Sequence, residues 1–176
     1  MRALVCYESM FGNTHHIAEA IGAGLGAGCE VAVRPIGAVT STEVADADLV
    51  VVGAPTHVHG LPRPASRQGA AEKATGSETR HLEAEAEGPG VREWLQSLDH
   101  LDSRVAAFDT RVDMNPVVTG RASKGIDHKL RHAGGRPIAA PESFLVDRED
   151  VLVPGELERA TAWGTRLAAD LAASTV

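Results

Sequence analysis

The fold class of this chain is indicated most clearly by one continuous apolar run, Asp48-Leu49-Val50-Val51-Val52-Gly53-Ala54. β-Branched residues favour strands, and a strand without a polar face must be covered on both sides. Parallel sheets enclosed between two layers of helices contain such strands, whereas sheets with one wet face alternate apolar and polar positions. The run therefore predicts a central strand of an α/β sheet.

Further strands and amphipathic helices alternate along the chain. The predicted strands are Leu4 to Tyr7, Glu30 to Pro35, Asp48 to Ala54, Val105 to Thr110, and Ile138 to Val146 with Pro141 marking an edge strand or a bulge. The predicted helices are Asn13 to Leu25, a segment around Val91 to Leu98, Ala122 to Ala133, and Glu156 to Ala173. This alternation predicts a parallel sheet with helices on both faces.

Two details of the helices carry separate predictions. The last helix places Leu157, Ala160, Trp163, Leu167 and Leu171 on one apolar stripe. The glycine series Gly22 to Gly28 closes the first helix, whereas a dinucleotide-binding loop must follow a strand and open a helix. We therefore interpret the series as a frayed helix end.

The 176 residues predict one domain, residues 1–176, with an insertion at about 61–90 after the third strand. The insertion lacks a clear hydrophobic period and contains Pro62 and Pro64, although a short helix near Ser66 to Ala74 fits the pattern. A loop of this length in a compact domain is usually a functional lid or disordered.

Composition excludes several classes of function. The net charge of −7, the six aromatic residues and the lack of a basic stripe argue against a nucleic-acid surface. No apolar run approaches the roughly 18 residues of a membrane span, and the first residues lack the pattern of a signal peptide. Cys6 and Cys29 form no CxxC motif. We expect a cytoplasmic protein, monomeric or homodimeric, with no membrane or nucleic-acid partner.

The segment between the first strand and the first helix, Tyr7-Glu8-Ser9-Met10-Phe11-Gly12-Asn13-Thr14, has the chemistry of a phosphate-binding turn. Free N–H groups at a helix start attract anions, Ser9 and Thr14 add hydroxyls, and Gly12 permits close backbone approach. Without Lys or Arg it is not the loop of a nucleotide triphosphatase. An ordinary turn capped by Asn13 or Thr14 uses the same residue types.

Two more polar segments follow strand ends. Gly53 to Pro62 contains His57-x-His59, but two imidazoles two residues apart point to opposite sides of an extended chain. Even if His15 and His16 joined them, no carboxylate cluster accompanies the pair, so we predict no metal site. The fourth strand ends in Asp109-Thr110-Arg111. Loops at the carboxyl ends of parallel strands form the ligand crevice of open α/β sheets.

These three loops, in this order, resemble those of flavodoxins. Val5 to Thr14 is similar to the flavodoxin phosphate loop, Val51 to Thr56 to the strand entering the second flavin loop, and Phe108 to Arg111 to the third. The resemblance implies a flavodoxin-like three-layer sandwich, with a five-stranded parallel sheet of order 2-1-3-4-5, and bound FMN.

The resemblance also implies site residues, none of them catalytic. The phosphate would be held by Ser9, Phe11, Gly12, Asn13 and Thr14, with Met10 in the same loop. The isoalloxazine ring would be flanked by Pro55, Thr56, His57, Val58, His59, Gly60, Asp109, Thr110 and Arg111. Neither flanking loop has an aromatic residue, so His57, His59 and Phe11 are the candidates for stacking. Gly60 is the candidate for a peptide flip beside the flavin N5.

Three functions remain open on the sequence. The first is an FMN protein that passes electrons between redox partner proteins. The second is an FMN-dependent NAD(P)H:quinone-type reductase, with residues 61–90 as a lid over a small quinone-like substrate. The third is a flavin-less binding module on the same fold, because fold alone does not determine function.

Overall fold

The apolar run at 48–54 forms a strand that is paired on both sides within a parallel sheet. The structure, a computed structural model, describes residues 1–57, 59–74, 82–83, 86 and 88–174. Its strands are β1 (Arg2–Tyr7), β2 (Glu30–Pro35), β3 (Leu49–Pro55), β4 (Arg104–Val112), β5 (Arg136–Pro137) and β6 (Glu142–Val146). They follow the order β2-β1-β3-β4, and both β5 and β6 pair with β4. The predicted order 2-1-3-4-5 is confirmed, with a sixth strand added.

Helices cover both faces of this sheet. They are α1 (Asn13–Leu25), α2 (Ser41–Asp46), α3 (Pro64–Ala74), α4 (Val91–Ser97), α5 (Pro116–Thr119), α6 (Ala122–His132) and α7 (Glu156–Ala173). One core lies between the sheet and α1 with α7, and a second lies between the sheet and α2, α4 and α6. Val51 of β3 belongs to the first core and Val50 and Val52 to the second, so the strand is enclosed as predicted. No helix in the described part of the chain is long and apolar enough to cross a membrane.

The fifth strand predicted over Ile138 to Val146 is wrong in its first part: residues 138–141 are not strand, β6 begins only at Glu142, and the separate short strand β5 precedes the predicted range. β5 pairs with Arg104 and Val105 of β4, and β6 pairs with the far end of β4 from Phe108 onward. Pro141 has no N–H to donate at the point where the ladder resumes. Both pieces lie at the sheet edge, which is where Pro141 predicted them.

Helix α2 was missed, although the sequence carries its start signal. Thr40 and Glu43 form a capping box: the Thr40 hydroxyl accepts from the Glu43 N–H, and the Glu43 carboxylate accepts from the Thr40 N–H. This Thr-x-x-Glu pattern marks a helix start. The helix is only six residues long, too short for hydrophobic periodicity to reveal it.

Leu157 does not belong to the buried stripe of α7, since it is 43% exposed. The inward position in that turn is taken by Glu156, whose carboxylate accepts from the Leu145 N–H at 2.7 Å and from Arg159 at 2.6 Å. Hydrogen bonding to a strand and an arginine thus draws a carboxylate inward. Periodicity alone cannot anticipate such a reversal.

The interpretation of the first helix end as frayed is also wrong. α1 continues regularly through Gly22 and Gly24, because α7 crosses it at very short distance. A Cβ at Gly24 would lie 2.1 Å from the Thr161 carbonyl oxygen, and one at Gly164 would lie 2.2 Å from that of Ile21. The glycines are therefore required by close packing between helices, which offsets their low helix propensity.

Replacing Gly24 by Ala tests this contact. The added methyl group would overlap the α7 backbone, so we expect the free energy of unfolding to fall by about 2 kcal/mol or more. Gly26→Ala is the matched control, since Gly26 has helical dihedrals and its Cβ would meet no atom closer than 3.5 Å. Urea unfolding followed by circular dichroism measures both, and a Gly24→Ala protein as stable as the control would contradict the packing argument.

Candidate functional site

A cleft opens where the carboxyl ends of β1, β3 and β4 meet. Its lining is Ser9, Met10, Phe11, Asn13, Thr14, Pro55, Thr56, His57, Thr110, Arg111, Val112, Val146 and Asp150. Ten of these were predicted as site residues from the sequence. The three that were missed, Val112, Val146 and Asp150, lie at the end of β4 and in or after β6, and no local motif marks them.

The β1–α1 turn is built to present N–H groups. Gly12 has φ +89°, a conformation that favours glycine, and its carbonyl accepts the first intrahelical bond from His16. The Ser9 hydroxyl accepts from the Gly12 N–H at 3.1 Å. Residues 13–15 at the start of α1 have no intrahelical acceptor for their N–H groups, and the first turn has no acidic residue. This end of α1 therefore carries a positive partial charge toward the cleft.

The polar side chains of this turn are tied to other loops. The hydroxyls of Thr14 and Thr110 are 2.7 Å apart, which joins the first loop to the third. The Asn13 side-chain amide donates to the Asp150 carbonyl at 2.6 Å. The loop after β6 thus takes part in positioning the turn, a role that the sequence did not reveal.

The second loop divides into residues that face the cleft and residues that do not. Thr56 donates its N–H to the Thr110 carbonyl at 2.8 Å, and its hydroxyl accepts from the Ala122 N–H at 2.9 Å. His57 lines the cleft, whereas His59 and Gly60 are outside the lining and Val58 is outside the described residues. Of the two histidines, only His57 is positioned to contact a ligand in the cleft.

His57 and Gly60 close a tight turn through reciprocal backbone hydrogen bonds of 2.9 and 3.0 Å. The left-handed conformation falls on His59, with φ +70°, and not on Gly60. The peptide flip assigned to Gly60 remains a prediction.

The three residues predicted for the third loop lie within β4; of these, Thr110 and Arg111 line the cleft and Asp109 does not. Asp109 is completely buried, and its carboxylate accepts from the Ser123 N–H in the first turn of α6 at 2.7 Å. Burial raises its pKa, while this hydrogen bond acts in the opposite direction. Asp109 lies outside the cleft lining because its carboxylate caps the start of α6. Sequence spacing does not distinguish this capping role from contact with a ligand.

Arg111 is the cation of the cleft lining. Its Nη1 donates to the Met114 carbonyl at 2.7 Å, which holds the guanidinium across the loop. Its Nε is buried and has no hydrogen-bond partner among the described residues. A buried, unsatisfied donor at a cleft is a feature that a bound acceptor would satisfy.

A buried ionic cluster at the end of β1 holds the described part of the insertion. Arg67 of α3 lies 3.5 Å from Glu8 and 3.0 Å from Glu93. The second Glu8 oxygen accepts from the Val91 N–H at the start of α4, at 2.8 Å. Burial raises the pKa of Glu8, and Val91 and Arg67 oppose that shift. Charge pairing therefore fastens α3 and α4 to the end of β1.

Glu83 connects the insertion directly to the β1–α1 turn. Its N–H donates to the Met10 carbonyl at 3.0 Å, and its carboxylate lies 2.7 Å from His15, whose ring stacks on Tyr7 at 4.7 Å. None of the described insertion residues lines the cleft. In the described residues, the insertion contacts the β1–α1 turn outside the cleft and does not cover the cleft.

Replacing Arg67 by Met tests the ionic cluster. It leaves the Glu8 carboxylate buried without its cation, so we expect a loss of about 3 kcal/mol of unfolding free energy near neutral pH. Arg136→Met, which breaks an exposed pair with Asp102, should cost less than about 0.5 kcal/mol. Urea unfolding of both variants gives the comparison.

The pH dependence of the Arg67→Met deficit is a second readout. Removing the cation raises the pKa of Glu8 further, so the folded state then holds the proton to higher pH than the unfolded state does. Stability is lost as pH rises through that raised pKa. The deficit should therefore grow between a pH of about 5 and about 8. A deficit independent of pH would show that Arg67 acts through packing alone.

Comparison with known proteins agrees with this architecture. Residues 4–67 match the family model described as a flavodoxin domain. A flavodoxin from the domain Archaea is 23% identical, with 97% of this chain and 99% of that chain covered and a TM-score of 0.67. The flavodoxin of Streptococcus pneumoniae TIGR4 is 19% identical, with 96% of this chain and 99% of that chain covered and a TM-score of 0.64. A WrbA-like flavodoxin from Agrobacterium tumefaciens is 18% identical, with 97% of this chain and 96% of that chain covered and a TM-score of 0.60. At these identities the structures establish the shared fold. No curated protein sequence matches the chain significantly.

Proposed function

We propose that this chain, which has the flavodoxin fold and whose residues 4–67 match a flavodoxin domain, binds FMN and passes electrons between protein partners. The observation that carries the proposal is the cleft, where three strand ends place hydroxyl, amide, imidazole and guanidinium groups around one concavity.

The residues present fit the phosphate of FMN. The start of α1 provides unpaired N–H groups and a positive partial charge, and the hydroxyls of Ser9 and Thr14 adjoin it. Among the described lining residues the carboxylates are limited to Asp150, whose backbone carbonyl already holds Asn13. A phosphate dianion would therefore be held at the Gly12 turn by neutral donors.

The residues present also fit a flavin ring without an aromatic clamp. His57 comes from the turn after β3 and Arg111 from the end of β4, and imidazole and guanidinium groups both stack on flat π systems. The unsatisfied Arg111 Nε adds a donor for a ring acceptor. When bound, FMN would supply one- and two-electron redox chemistry; the chain would hold it and shield one side from water.

Electron exchange with a protein is supported by the outer rim of the cleft, which we define as residues 113–118 and 147–151. It carries four of the seven large apolar side chains that are exposed in the described residues: Met114, Val117, Val118 and Val151, with Val117 87% exposed. Exposed Asp113, Asp147 and Glu149 lie among them and outnumber the single exposed base of the rim, Arg148. An apolar surface edged with acids suits a partner that presents an apolar patch with basic neighbours.

Two substitutions in the β1–α1 turn test FMN binding. Gly12→Val forces a β-branched residue into a left-handed conformation, and Thr14→Glu sets a negative charge against the phosphate. Each should weaken binding by roughly 2 to 4 kcal/mol, as expected when charge-assisted hydrogen bonds are lost. Quenching of FMN fluorescence on titration measures the affinity.

Ser41→Glu is the control for charge, because it adds the same carboxylate at the exposed start of α2. Thr14→Val controls for the burial of Thr14, since it removes the hydroxyl without adding charge and should cause a smaller loss. Circular dichroism checks that each variant folds. If both turn variants bind FMN as the parent does, the phosphate lies elsewhere, and a parent that binds none is the flavin-less module.

A kinetic test distinguishes an electron carrier from a quinone reductase. We expect the FMN-loaded chain alone to show no NADPH-driven quinone turnover above that of free FMN. Reduced by dithionite, it should transfer electrons to cytochrome c, a small basic redox protein, in stopped-flow mixing. Val117→Gln on the rim should slow that transfer roughly threefold or more, as removal of an interface contact does.

Leu157→Gln, a matched change of an exposed apolar residue on α7, should leave the transfer rate unchanged. Robust quinone turnover with NADPH as the donor would instead establish the reductase.

A further inference from the structure

The backbone of Gly120 lies directly against the backbone of His59. The two residues pair as an isolated parallel bridge, although they are distant in sequence. His59 belongs to the turn after β3, which His57 and Gly60 close, and Gly120 ends α5 after β4. The contact therefore joins the two loops that flank the cleft.

Only glycine fits at position 120. Its dihedrals, φ +74° and ψ −174°, lie in a region that residues with a side chain essentially do not occupy. A Cβ would also lie 2.2 Å from the His59 carbonyl oxygen and 2.4 Å from its carbonyl carbon and Cα. Conformation and close approach thus exclude a side chain independently.

The turn is anchored at both ends but exposed at its tip. Before it, Thr56 is bonded to Thr110 and to Ala122. After it, Leu61 is buried and its carbonyl accepts from Arg92 at 2.6 Å. His59 at the tip is exposed and holds φ +70°, which is uncommon for a residue with a side chain. The bridge to Gly120 is the contact at this tip that the structure describes.

We infer that Gly120 is a positioning residue: its bridge to His59 fixes the 57–60 turn to the segment that follows β4, the strand in which Arg111 lies, and so sets the affinity and the midpoint potential of the bound flavin. The inference rests on the proposed function for its flavin part. The bridge thereby holds the turn in place relative to the end of β4, so His57 and Arg111 keep a constant separation across the cleft. A preorganised pair binds without the cost of ordering a loop.

Gly120→Ala is the test, made on the full chain. In the flavin-free protein, hydrogen exchange of the amides in residues 56–60 should become at least about tenfold faster, because the turn loses its restraint. With FMN, the dissociation constant should rise roughly tenfold and the midpoint potential should shift, since the flanking groups are no longer held in place.

Gly155→Ala controls for general destabilisation. Gly155 also has a positive φ, +90°, but no atom lies within 4 Å of the added Cβ, and it is outside the cleft lining. It should lower stability through backbone strain alone, with wild-type exchange at residues 56–60 and wild-type FMN affinity.

A second pair of variants covers the case in which Gly120→Ala does not fold. His59 is exposed, so its replacement should be tolerated. His59→Pro excludes the left-handed conformation and should speed exchange in the turn, whereas His59→Gly permits it and should keep the amides protected.

The possible outcomes distinguish the restraint of the turn by the His59–Gly120 bridge from the effect of that restraint on the bound flavin. Wild-type exchange in both Gly120→Ala and His59→Pro would overturn the restraint itself. Faster exchange with unchanged FMN affinity and potential would overturn the positioning role. If the parent binds no FMN, the proposed function and this role fail together, and the exchange data still decide whether Gly120 restrains the turn.

Discussion

Strands β1, β3 and β4 pair side by side, and their register places the cleft at one edge of the sheet. Tyr7 pairs with Gly53, and Gly53 pairs with Phe108, so β1 ends level with these two residues while β3 continues to Pro55 and β4 to Val112. Gly53 has no alternative, because a Cβ there would lie 2.0 Å from the Phe108 ring, which packs edge-on against Phe144 and Trp163. This register delivers three loops to one edge of the sheet, and the candidate site is their meeting point.

Contacts between loops then convert that meeting point into a defined cleft. Thr14 reaches Thr110, and the bridge between His59 and Gly120 joins the second loop to the segment after β4. Behind the first loop, Arg67 pairs with the buried Glu8 and fastens the insertion to the sheet. Buried charges tolerate this arrangement because each has a partner of opposite sign or a backbone donor. The insertion thereby acts on the site from outside the cleft.

Much of the fold and part of the site could be predicted because their signals are local. The valines of β3 require cover on both faces, and the spacing of Ala160, Trp163 and Leu167 defines a helix with one buried face. The burial of Leu157 and the strand over 138–146 were predicted wrongly because long-range contacts decide them. Glu156 is drawn inward by its hydrogen bond to β6, and β4 pairs with two separate short strands. Neither contact is visible in the local sequence pattern.

What the sequence by itself determined is the order of strands and helices, the burial of the central sheet and the three segments that end at its carboxyl edge. Only the tertiary structure decided that His57 and not His59 faces the cleft, that Asp109 caps α6, and that Gly120 supports a turn some sixty residues earlier. Local propensity and periodicity act within a few residues, whereas the direction of a loop side chain depends on contacts with distant segments. Those contacts exist only once the sheet has brought the loops together.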